Sequence, residues 1–334
     1  MLIMKSLFNI LKWVAAGLIV LVIAAVIYLK FGLPNIDAPQ DLSVEITPER
    51  LQRGEYLANN VNLCMDCHSK RNFSVYTGPP TPGTEGVGGD VFNEDMGFPG
   101  TFYSRNITPH SLKDWTDGEL YRAITSGIDK NNEVIFPVMP WQYYNKMATE
   151  DVYSIIAYVR SLDPIASENK ESKTNFPVSL IKNTFPSEPH PMELPDKSDR
   201  VAYGAYLTNA AGCVECHSQK DAQGTNIPGT EFGGGMAFKL PGVGTVYSAN
   251  ISPDSETGLK HTEESFIATF KAYADSSYVP HEVQPGQMQT MMPWMMYAGM
   301  TEEDLGAIYA FLQTVTPIKN EVSVKFEPAE ITMK

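Results

Sequence analysis

Cys64-Met65-Asp66-Cys67-His68 and, further on, Cys213-Val214-Glu215-Cys216-His217 are the two segments from which the rest of the chain can be read. Cysteines three apart lie on one side of a helical turn. Both sulfurs can then reach the two vinyl groups of one porphyrin, and the adjacent histidine presents a ring nitrogen to its iron. A redox dithiol has no need of that histidine, and a zinc site needs a second ligand cluster close in the fold. The two copies use all four cysteines of a chain of 334 residues, too few for a disulfide scaffold. The motifs therefore predict two covalently bound haem c groups, attached through Cys64, Cys67, Cys213 and Cys216, with His68 and His217 as iron ligands.

Working outward, three more motifs recur in the same order. Pro82-Gly83-Thr84-Glu85 returns as Pro228-Gly229-Thr230-Glu231, Gly100-Thr101-Phe102-Tyr103 as Gly244-Thr245-Val246-Tyr247, and Met139-Pro140-Trp141 as Met292-Pro293-Trp294. The offsets, including that of the cysteine motifs, run only from 144 to 153 residues, which predicts two homologous units, 48–165 and 199–318. Residues 34–47 read as a linker. Five prolines between Pro177 and Pro195 make 166–198 an extended connector, and the tail 319–334 carries no assignment. Within a unit the regular signals are helical. Thr116 and Glu119 form a capping box for a helix from Asp117 to about Ser126. Apolar Val152, Ile155, Ile156, Val159 and Leu162 mark one closing helix, and Leu305, Ile308, Leu312 and Val315 the other. The Gly-rich stretches between read as loops, and the predicted fold class is all-α.

An iron with one histidine needs its sixth ligand identified. Thioether sulfur is a soft ligand that raises the potential, and the proline after each candidate stiffens the loop presenting it. Met139 and Met292 follow their histidines by 71 and 75 residues. Most of the 15 methionines are expected to be core filler. Register separates Met292 from its Met-rich neighbours, because Tyr144 and Met147 match Tyr297 and Met300 at the offset that pairs Met139 with Met292. His110, His190, His261 and His281 are the competing donors; His281 lies in an insertion of nine residues in the second unit. Asn106-Ile107-Thr108 and Asn250-Ile251-Ser252 fit a glycosylation sequon, but their repetition within the unit favours local turn bonding.

Trp13 to Leu29 is a run of 17 uncharged residues, almost all apolar, preceded by Lys5 and Lys12 and followed by Lys30. Its length suits a membrane span, and Ala24-Ala25-Val26 makes a poor signal-cleavage site, so 1–33 reads as a retained single-pass anchor. The lysine asymmetry puts everything after Pro34 across the membrane, in the bacterial periplasm. The net charge of −14 leaves nothing to neutralise phosphates and excludes nucleic acid as a partner. The two units are acidic alike, with 10 basic against 16 acidic residues in 44–165 and 6 against 13 in 199–320.

Taken together, Arg53-Gly54-Glu55-Tyr56-Leu57 before the first cysteines, Asn106-Ile107-Thr108-Pro109, Trp115-Thr116-Asp117, Met139-Pro140-Trp141 and Ala157-Tyr158-Val159-Arg160 resemble class I c-type cytochromes. They are especially similar to the cytochrome c subunits of membrane-bound alcohol, aldehyde and gluconate dehydrogenases. The resemblance implies small helical haem domains with His/Met ligation, in which Gly54 and Gly204 let the first helix cross the last near Tyr158 and Phe311. It departs from those subunits in having two haem motifs where three are usual, and His261 where a tryptophan is usual. The expected function is transfer of single electrons between unidentified respiratory or dehydrogenase complexes, or toward a terminal oxidase, without catalysis of its own. Alternatives to such a shuttle are a dihaem peroxidase, which needs one open iron, an integral subunit of a larger respiratory or dehydrogenase complex, with the anchor as its assembly element, and a haem-based sensor, disfavoured because no signalling domain follows.

Overall fold

The computed structural model describes residues 2–221 and 224–329. The chain opens with a helix, Leu2–Ile27, extended by a wider turn over Tyr28–Gly32. Among the described residues, Ser6–Gly32 is the one helical stretch long and apolar enough to cross a membrane, and none of its residues is buried.

The first unit starts at the helix Pro48–Tyr56, with proline in its first turn and the Thr47 side chain accepting from Arg50 N. The helix Asp117–Ser126 carries the expected capping box: Thr116 Oγ1 accepts from Glu119 N, and Glu119 Oε2 accepts from Thr116 N. The unit closes on Thr149–Ser161, whose Val152, Ile155, Ile156 and Val159 are buried. The second unit repeats the plan with Arg200–Ala210, Glu263–Lys271 and Glu302–Leu312; Leu305, Ile308 and Leu312 are buried on the last. Each such aliphatic side chain removed from water contributes about 1.5–3 kcal/mol.

Two glycines decide how the helices meet. A Cβ on Gly54 would lie 1.9 Å from Ser154 O and 2.8 Å from Tyr158 Cβ; one on Gly204 would lie 1.9 Å from Ala307 O and 3.0 Å from Phe311 Cβ. The first helix of each unit therefore touches the backbone of the last, a crossing that any side chain would prevent.

The all-α expectation needs correction. Helices dominate, but each unit also holds a three-stranded antiparallel sheet: Val91–Phe92, Gly100–Tyr103 and Lys173–Thr174 in one, Ala237–Leu240, Gly244–Tyr247 and Phe326–Pro328 in the other. Gly100 (φ 147°) and Gly244 (φ 148°) open the central strands, where a Cβ would sit 2.1 Å from Lys173 O or 2.2 Å from Glu327 O. The third strands come from the connector and the tail. The connector is accordingly not extended: it pairs at Lys173–Thr174, turns through a short helix at Val178–Ile181, and His190 N donates to Asn145 O. The linker also packs, with Val44 buried and its N–H donating to Asp117 Oδ2.

The units face each other about a pseudo-twofold axis. Tyr56 Oη donates to Asp304 Oδ2 at 2.5 Å and accepts from Thr301 N; Tyr206 Oη donates to Asp151 Oδ2 at 2.6 Å and accepts from Ala148 N. Tyr56 matches Tyr206, and Asp151 with Ala148 matches Asp304 with Thr301, so each contact is written twice, as at an isologous interface.

Candidate functional site

Each cysteine motif forms a single helical turn, Cys64–Cys67 and Cys213–Cys216, entered through a left-handed residue, Leu63 (φ 56°) or Gly212 (φ 65°). The turn closes as His68 N donates to Cys64 O and His217 N to Cys213 O. Burial pushes the thiols of Cys64, Cys67 and Cys213 up to about 12 and that of Cys216 to about 11. A protonated thiol is a poor nucleophile for redox exchange. Among the described residues no group of three or more His, Cys, Asp or Glu is placed to hold a metal ion by itself.

Both imidazoles are held alike. His68 Nδ1 lies 2.7 Å from Arg105 O, and His217 Nδ1 lies 2.7 Å from Ala249 O. A carbonyl can only accept, so Nδ1 carries the proton and Nε2 keeps its lone pair for a metal. Desolvation lowers both histidines from their ordinary range, which favours the neutral ring that ligation requires.

Met-Pro-Trp is also the same structure twice. Trp141 N donates to Met139 O at 2.8 Å over Pro140 (φ −81°, ψ 47°), and Trp294 N donates to Met292 O at 2.8 Å over Pro293 (φ −82°, ψ 63°). These are inverse γ-turns, for which proline already supplies φ. Each runs into a one-turn helix, Trp141–Tyr144 or Trp294–Tyr297, whose final tyrosine reaches the cysteine segment: Tyr144 Oη donates to Asn62 O at 2.5 Å, and Tyr297 Oη to Ala211 O at 2.8 Å. Asn62 and Ala211 each stand two residues before the first cysteine of their motif. In both units the methionine turn is thus tied to the cysteine–histidine turn. Met139 and Met292 are half-buried, whereas Met147 and Met300 are wholly buried core.

Residues 201–316 match the profile of the family described as Cytochrome c. The second unit is a cytochrome c domain. Over most of its length the chain is similar to an alcohol dehydrogenase (quinone) cytochrome c subunit of Gluconobacter oxydans, at 25% identity over 282 residues, covering 80% of this chain and 55% of that one. It is similar to a gluconate 2-dehydrogenase cytochrome c subunit of Pantoea cypripedii at 25% identity, covering 79% and 59%. A diheme cytochrome c-type protein of Cereibacter sphaeroides is 25% identical, with 70% of this chain and 76% of that one covered. The chain therefore spans little more than half the length of the two dehydrogenase subunits.

A cytochrome c domain implies covalently bound haem c, and the residues present fit it: two sulfurs on one turn, an imidazole with Nε2 left free, and a thioether on a stiff turn tied to the same segment. The first unit, 48–165, repeats every one of these features. The other histidines are placed elsewhere. His110 and His261 are exposed, His190 sits in the connector against Asn145, and His281 stacks on Tyr76 at 4.9 Å beside a cavity of about 420 Å3 lined by Tyr273 and Tyr278. Trp141 is buried and donates to Ile135 O. Asn106 and Asn250 are buried turn residues, as repetition suggested: each Oδ1 accepts from the residue two on, and each amide donates to Ile165 O or Ile318 O at 2.7 Å.

Sequence reasoning did not find the Arg105 and Ala249 carbonyls, because any residue type supplies a carbonyl. It also missed an acid–base pair in each motif. Asp66 is paired with Arg71 at 2.8 Å, both nearly buried, and Glu215 with Lys220 five residues on. The shared five-residue spacing was the available signal. Here the units differ, since Tyr143, from the turn after Met139, reaches across to Glu215 of the cytochrome c domain.

Proposed function

We propose that the chain is a membrane-anchored dihaem cytochrome c that passes single electrons on the periplasmic side of a bacterial inner membrane, as the electron-transfer subunit of a dehydrogenase or other respiratory complex. The domains holding the haems are 48–165 and 199–318, and the ligand pairs are His68 with Met139 and His217 with Met292. Bound haem supplies the redox chemistry; the chain fixes its ligands and excludes water. One observation carries the reading: imidazole hold, methionine turn and tyrosine tie are duplicated bond for bond. A peroxidase needs two unlike irons, one of them open, and this duplication supplies two alike. The names of the dehydrogenase relatives favour the subunit role, and the lysines flanking the apolar helix favour export.

The test has three arms. Denaturing mass spectrometry should return the polypeptide with two haems retained. The purified protein should neither bind carbon monoxide stoichiometrically nor turn over hydrogen peroxide rapidly. Met139→Ala or Met292→Ala should each open one iron to carbon monoxide and lower its potential. Stoichiometric carbon monoxide binding by the wild type, with rapid peroxide turnover, would establish the peroxidase instead.

A further inference from the structure

The end of the apolar helix is held by the connector. Asn183 Nδ2 donates to Leu29 O and Leu33 O, both at 3.1 Å, which satisfies carbonyls that a helix end leaves without partners. The helix Val178–Ile181 packs against the turn Tyr28–Gly32. On the body side the same segment is fixed twice: Lys173–Thr174 is a strand of the first sheet, and the Phe185 ring meets the Phe136 ring edge-on at 6.2 Å. Residues 174–185 therefore form a short strap between the anchor and the first unit.

The strap shows apolar side chains to solvent at the level where the apolar helix ends. Phe176 is 78% exposed and Ile181 43%, and Phe31, at the anchor's end, is 76% exposed. The strap and the four residues before it, 170–185, carry Lys170, Lys173 and Lys182 against Glu171, a net charge of +2, with Lys182 3.8 Å from Glu133 and Lys170 over the Tyr103 ring. Apolar and aromatic side chains beside lysines, at the level where an apolar helix ends, make the composition of the lipid headgroup boundary. Water is a poor neighbour for an exposed phenylalanine that the strap holds out beside the end of an apolar helix.

We propose that the strap is a second membrane contact: Phe176 and Ile181 enter the headgroup–acyl boundary beside Phe31, and the lysines face anionic headgroups. The anchor alone would leave the haem units free to swing. Anchor and strap together hold the first unit in one orientation to the bilayer, and so set which face a partner in the membrane meets. The inference rests on the reading of residues 1–33 as an anchor.

The experiment uses the full haem-loaded chain in liposomes of phosphatidylethanolamine and phosphatidylglycerol, with the photocrosslinker p-benzoylphenylalanine in place of Phe176, of Leu18 within the apolar helix, or of Val279, which is 79% exposed in the second unit. Mass spectrometry after irradiation should find lipid adducts at positions 18 and 176, with the yield at 176 about tenfold or more above that at 279, as boundary insertion requires. An adduct at 18 with none at 176 overturns the strap contact and leaves the anchor standing. No lipid adduct at 18 overturns the anchor and this inference with it. Equal yields at 176 and 279, or crosslinking of 176 to protein, also overturns the strap contact.

Discussion

Tyr144 and Tyr297 show how much of a site can rest on one hydroxyl. Each joins the turn carrying a proposed iron ligand to the segment carrying the cysteines, and each is buried, so a phenylalanine in its place leaves Asn62 O or Ala211 O without that donor. Tyr144→Phe is expected to cost about 1–2 kcal/mol, the price of one buried hydrogen bond. It should let the Met139 turn drift, so that carbon monoxide binds one iron of the variant faster than either iron of the wild type. Thermal unfolding and stopped-flow carbon monoxide binding check the two halves separately; unchanged binding would mean that Pro140 alone holds the turn. At this scale the chemistry-bearing side chains were legible, because cysteine, histidine and a repeated Met-Pro-Trp are rare residues at matched spacing. Tyr144 was legible only as register. The carbonyls of Arg105 and Ala249 were not legible at all, since nothing about Arg or Ala as residue types points to the main-chain oxygen in use.

Among the elements, the closest contacts are between backbones rather than side chains. Gly54→Ala would drive its Cβ into Ser154 O, a main-chain atom inside a helix that cannot rotate away. The expected loss is about 3 kcal/mol or more, at the upper end of overpacking costs, with Gly204→Ala similar at Ala307 O. Denaturant unfolding of the haem-loaded variants measures it, and Gly83→Ala, where a Cβ meets nothing within 4 Å and only the left-handed backbone (φ 78°) costs the alanine about 1–2 kcal/mol, is the control expected to change less. The helices were readable because their signals are local: a capping box spans four residues and an apolar stripe about a dozen. The sheets were not. Their central strands are four residues long, and their third strands lie some seventy residues downstream in one unit and eighty in the other, at Lys173–Thr174 and Phe326–Pro328. No periodicity can develop over such lengths. Gly100 and Gly244 were seen as a repeat, but their role appears only when the distant strand is placed against them.

For the molecule as a whole, the pseudo-twofold contact makes two units into one body, and its halves are chemically unequal. Asp151 also receives two hydrogen bonds from Arg53, at 2.8 and 2.7 Å, whereas among the described residues the Asp304 carboxylate has beyond Tyr56 only Lys197, at 3.5 Å. Both carboxylates are buried, so the cost of losing a donor depends on what remains. Tyr56→Phe is therefore expected to destabilise by about 2–3 kcal/mol and Tyr206→Phe by about 1–2, the range for hydrogen bonds to charged groups. Burial first, and then the facing carboxylate, push both phenols above the ordinary tyrosine range. Their contribution is complete below pH ~10, where unfolded tyrosine begins to ionise, and is lost as pH rises through the raised folded values. Between pH 10 and 11 each phenol should remove up to ~1.4 kcal/mol of stability. The Tyr56→Phe/Tyr206→Phe double variant, less stable at pH 8, should lose stability less steeply over that interval. Thermal unfolding from pH 8 to 11 measures both slopes. Parallel slopes would mean that the two hydroxyls ionise in the folded protein as readily as in the unfolded chain, and that the interface is held by its packing alone.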